Sequence, residues 1–134
     1  MTDNRQATCE ERIDSEMKRT LRTLWKLWEW YKVKMDEYHP TEQTNIYEYG
    51  LSFDYVEPGT FNDQPIGYWR YQLSWGGPSD EFRFFDDGYD GARVEYWFLD
   101  WFDGAHRILR GEDRSLMLEI FDWLTLEEGF EKEH

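Results

Sequence analysis

Apolar residues recur at Ile13, Met17, Leu21, Leu24, Trp28, Tyr31 and Met35, at intervals of three and four. Such spacing makes one continuous stripe on an α-helix and predicts a helix over residues 8–38. Thr8 with Glu11 three residues later has the capping-box pattern, and His39-Pro40 ends the segment because proline disfavours helical geometry in the residue before it. Trp25, Leu27, Trp30 and Val33 widen the apolar surface of its later half, while Lys18, Arg22 and Lys26 recur every four residues as a basic ridge.

From Asn45 the period changes to two. Tyr47, Tyr49, Leu51, Phe53 and Tyr55 alternate with Glu48, Gly50, Ser52 and Asp54, and Trp69, Tyr71, Leu73 and Trp75 alternate with Arg70, Gln72 and Ser74. Both tracts predict half-buried strands with one aromatic face. Phe82–Phe85 reads as a third strand and Arg93–Phe102 as a fourth, whose closing apolar run predicts a central position or cover on both faces. A last helix is expected over 113–125, with Asp113 as its N-cap. The predicted class is α+β in the order α-β-β-β-β-α: one domain over 1–134, with a four-stranded antiparallel meander over 45–104, both helices on one face, and an acidic tail over 126–134.

Charge separates these parts. The chain carries 29 acids and 15 bases, a net charge of −14, yet 19% of its 134 residues are aromatic. Acid-rich disordered chains lack such aromatic content, so a folded protein is expected. Residues 1–39 hold eight acids and eight bases, which leaves 21 acids and seven bases to the rest. Direct nucleic-acid binding is disfavoured because that affinity comes from Lys and Arg replacing counterions, and an anionic membrane surface is disfavoured for the same reason. With no membrane-spanning run and no signal-peptide pattern at the start, a soluble cytoplasmic protein is expected.

Catalytic and metal patterns are weak. His39, His106 and His134 do not stand at metal-ligand spacing, no phosphate loop or nucleophile elbow is present, and Cys9 has no companion for a disulfide or zinc. Asp86-Asp87-Gly88-Tyr89-Asp90-Gly91 imitates the start of a calcium loop but has Gly88 at its third position and Trp97 at its twelfth. No cofactor and no metal are expected. Trp28, Trp69, Trp75 and Trp97 stand at core-facing positions.

The acids of the sheet carry the functional expectation. Asp80, Glu81, Asp86, Asp87, Asp90, Glu95, Asp100 and Asp103 fall within 24 residues that contain only Arg83 and Arg93 as bases, and Glu112, Asp113 and Glu119 add supporting charge. Carboxylates alternating along a strand repeat every ~6.6 Å, near twice the ~3.4 Å rise per phosphate on one DNA strand. The expected function is therefore non-enzymatic: an acidic nucleic-acid mimic that occupies a basic surface on a nucleic-acid-binding protein or nuclease complex. Two alternatives stand beside it. One is an aromatic-lined pocket for a small molecule or glycan, with Trp97 or Trp101 beside Asp100 or Asp103; the other is a homodimer through the N-terminal helix. Charge serving solubility alone is the plain reading.

Leu73-Ser74-Trp75-Gly76-Gly77-Pro78-Ser79-Asp80-Glu81-Phe82-Arg83-Phe84 and Glu95-Tyr96-Trp97-Phe98-Leu99-Asp100-Trp101-Phe102-Asp103-Gly104-Ala105 resemble stretches of small uncharacterised proteins carried by phages, plasmids and other mobile elements. The resemblance would cover residues 47–124 and brings no catalytic residues with it. In general character, though not by motif, the chain is similar to anti-restriction and anti-CRISPR proteins. That context implies a host-defence nuclease or its guide complex as the partner.

Overall fold

Thr8 opens the first helix, α1 (Cys9–Lys34), in a computed structural model that describes residues 7–76, 78–86 and 92–127. Both halves of the capping box form: the Glu11 N–H donates to the Thr8 hydroxyl at 3.2 Å and the Thr8 N–H to Glu11 Oε1 at 2.8 Å. The helix stops four residues before its expected end at Tyr38. Met35 takes a left-handed φ of 57° while its N–H still donates to the Tyr31 carbonyl. Val33 and Met35 are exposed, so further turns would bury nothing to offset the cost of ordering them.

Asn45 corrects the next expectation. Instead of starting a strand, it caps a single helical turn, α2 (Ile46–Tyr49), accepting the Glu48 N–H at 2.9 Å and donating its own amide to the Asp36 carbonyl at 2.7 Å. The alternating tract becomes a strand only at β1 (Ser52–Val56). Gly50 lies between the two, and a Cβ there would fall 2.4 Å from Tyr71 Cε1. Gly50→Ala is therefore expected to lower the unfolding free energy by about 1–3 kcal/mol. An unchanged urea midpoint would show that Tyr71 yields without cost.

The sheet continues with β2 (Tyr68–Ser74), β3 (Ser79–Phe85), β4 (Arg93–Asp100) and β5 (Asp103–Ile108), antiparallel throughout and ordered as in the chain. It has five strands, not the four expected. Trp101 and Phe102 do not extend the fourth strand; they form a two-residue turn that returns the chain as an edge strand. The aromatic run hides this turn because it contains no Gly, Asn or Pro.

Cross-strand register builds the core. Phe53, Tyr71, Phe82 and Tyr96 form one row and Trp69, Phe84 and Val94 the next, all on the face covered by the helices. Ile13, Leu24 and Leu27 of α1 enter this core, as do Met117 and Ile120 of α3 (Gly111–Glu127). Asp113 sits in the first turn of α3, not at its cap. Residues 128–134 of the expected acidic tail lie outside the described residues.

Candidate functional site

The two faces of each strand decide what its carboxylates do. Asp80 points to the helix side, is 9% exposed, and accepts hydrogen bonds from the Tyr96 hydroxyl at 2.7 Å and from the Ser74 hydroxyl. Glu81 and Glu95 face the opposite way and are 3% and 6% exposed. Arg83 Nε donates to Glu81 at 2.7 Å, while Glu95 accepts from Arg93 Nε at 3.0 Å and from Trp97 Nε1 at 2.9 Å. These three acids form no exposed rim, because each is the buried acceptor for a hydroxyl, indole or guanidinium beside it.

Asp100 and Asp103 serve the helix instead. Arg12 lies 3.5 Å from Asp100, and Asp103 accepts the Cys9 N–H at 2.7 Å, so the β4–β5 turn holds the first turn of α1 where its dipole favours negative charge. Cys9 is buried there, and burial together with the charge of Asp103 pushes its thiol pKa up, which keeps it protonated. Glu119 accepts the Trp28 indole N–H at 3.0 Å. Asp86, Glu112 and Asp113 are exposed, whereas Asp87 and Asp90 lie outside the described residues.

The sheet face without helices is paved with flat groups. The Arg83 guanidinium lies 3.8 Å over the Trp97 ring and 4.6 Å over Tyr68, and His106 stacks on Trp97 with centroids 4.4 Å apart. Asp54, Arg70, Arg83 and Glu95 occupy one cross-strand row here, two arginines flanked by two carboxylates, so the charges of this row cancel instead of accumulating. His106 belongs to the edge strand β5, not to a loop.

At the end of the sheet nearest the start of α1, the arrangement is different. The β2–β3 connection and the β4–β5 turn emerge side by side, as the pairing of Ser79 with Leu99 requires. Trp75 on the first is 77% exposed and Trp101 on the second 88%, with Phe102 fully exposed beside it. Trp75 is thus a correction to its expected place in the core. Two strand spacings separate the connections, about 10 Å. Trp101 holds a left-handed φ of 55°, a conformation that costs a bulky residue about 1–3 kcal/mol and persists only where its surroundings impose it. Asp100 and Asp103 impose it by anchoring both sides of the turn to α1. The signal available in sequence was the pair of carboxylates bracketing two aromatics.

Among the described residues, Trp97 and Trp101 line none of the cavities described below. Trp97 is covered by Arg83 and His106, and Trp101 stands exposed on the two-residue turn. An aromatic-lined cavity of about 100 Å³ lies elsewhere, among Tyr47, Phe53, Tyr71 and Trp123. A wider groove of about 590 Å³ runs between α1 and the start of α3, with Lys18 and Arg22 on one bank and Glu112 and Asp113 on the other. The apolar stripe expected to serve a helix-mediated homodimer is the one that packs on the sheet.

Among the described residues no group of three His, Cys, Asp or Glu side chains is placed to hold a metal ion, and no helix is long and apolar enough to cross a membrane. Comparison with protein-family models, with curated proteins and with solved structures finds no match.

Proposed function

We propose that this chain is a non-enzymatic binding protein that docks on a positively charged surface of a nucleic-acid-handling or host-defence protein and competes there with nucleic acid. The observation that carries the reading is the exposure of Trp75, Trp101 and Phe102 on two adjacent connections at one end of the sheet. Large exposed aromatic side chains are among the residue types that anchor protein interfaces. Glu10 and Glu11 stand in the first turn of α1, held against the same end by the bond from Cys9 to Asp103. The net charge of −14 attracts a basic partner at long range, and the aromatics then hold it. The contact accordingly moves from Asp80, Glu81 and Glu95, which are buried, to this end of the sheet.

The test begins with a partner captured from the native host and then purified. Trp101→Ala/Phe102→Ala should weaken its binding by about 30-fold or more, equivalent to about 2 kcal/mol, without lowering the melting temperature. Association with the unmodified chain should slow steeply as salt rises. An affinity indifferent to the aromatic pair, or an association rate indifferent to salt, would sink the proposal.

A further inference from the structure

We propose that the cavity between α1 and the β2–β3 hairpin is a cation pocket that takes a primary ammonium or guanidinium group, with Asp80 as the countercharge. The cavity measures about 230 Å³, and its polar lining is Glu16, Arg19, Thr20, Tyr49, Ser74 and Asp80. A shift in strand register between Gln72 and Ser74 places Ser74 opposite Asp80, which brings its hydroxyl onto the carboxylate.

Asp80 differs from the other buried acids of the sheet. Glu81 and Glu95 each have an arginine, whereas Asp80 receives one hydroxyl on each oxygen and, among the described residues, no cation at ion-pair distance. A carboxylate offers about four acceptor sites, so two hydroxyls leave acceptor capacity open. A buried negative charge held only by neutral donors gains most from a cation that reaches it. The Tyr96 donor keeps its proton: burial, and then the charge of Asp80, push its pKa up. Arg19 does not fill the role, since it pairs with Glu16 and projects largely into solvent. Tyr49 adds an aromatic wall, a surface that favours organic cations over sodium.

Two sources carry this chemistry, a free small amine or a lysine or arginine side chain of a docked protein; the second rests on the function proposed above. Both are tested on the full chain by NMR titration with butylammonium, methylguanidinium and capped lysine, with 1-butanol as the neutral control. Butylammonium should move the backbone signals of Thr20, Ser74 and Asp80 and bind at least 10-fold more tightly than butanol, and Asp80→Asn should remove that preference. Capped lysine binding as well as butylammonium identifies the protein side chain as the source; exclusion of capped lysine identifies a free amine. Equal binding of butanol, shifts confined to another surface, or an undiminished preference in Asp80→Asn would overturn the pocket. The unmodified chain decides the question even if that variant fails to fold. If Trp101→Ala/Phe102→Ala leaves partner affinity intact while butylammonium binds at Asp80, the docking proposal fails and the pocket stands.

Discussion

Phe84→Ala is expected to lower the free energy of unfolding by about 3–5 kcal/mol, a large share of the ~5–15 kcal/mol that holds a typical domain together. Phe84 lies at the centre of the sheet with Trp69 and Val94 as its cross-strand neighbours, and it is fully buried. Its ring stacks on Phe121 of α3 at a centroid distance of 4.5 Å and an interplanar angle of 18°. Phe53 and Trp69 meet the same Phe121 ring edge-on, so the deletion opens a cavity that rigid aromatics on several elements cannot collapse to fill. Urea unfolding followed by tryptophan fluorescence measures the loss. A change below about 1 kcal/mol would mean that α3 is not seated on this row.

Arg83→Met should cost about 3–5 kcal/mol, because it leaves Glu81 buried without a cation. Arg83 also covers the rings of Trp97 and Tyr68, contacts that a methionine reproduces only in part. Adding Glu81→Leu removes the stranded charge, so the double variant should recover most of the lost stability. The comparison separates the two roles of the carboxylates. If Glu81 serves to attract a partner and not to balance Arg83, the single variant stays within about 1 kcal/mol of the parent and the double variant shows no recovery.

Local chemistry made much of the fold legible. The capping box of Thr8 and Glu11 and the stripe from Ile13 to Tyr31 lie within one segment, and each turn of α1 repeats the same choice of face. The core of β2 was readable from its alternation, the second half of β3 from Phe82–Phe85, and α3 from its apolar face. Two errors share a cause. Tyr47 and Tyr49 alternate like a strand, but the Asn45 cap bends them into a helical turn where Tyr47 packs on Trp123, 76 residues along the chain, at 5.1 Å. Trp101 and Phe102 continue an apolar run, but Asp100 and Asp103 tie the chain back to α1 and force the turn. In both places a contact distant in sequence outweighed the local pattern.

By itself the sequence determined the α+β class, the balance of charge over residues 1–39, the surplus of 14 negative charges after them, and the excess of aromatics that commits the chain to folding. Only the tertiary structure decided which of those charges and rings meet solvent. Exposure depends on the neighbour that register and packing supply: Arg83 and Arg93 cover Glu81 and Glu95, Tyr96 reaches Asp80 from the next strand, and Trp75, Trp101 and Phe102 are left outside because their connections pass beyond the last paired residues of the sheet. Composition counts charges and rings. Pairing across strands decides which of them remain available to a partner.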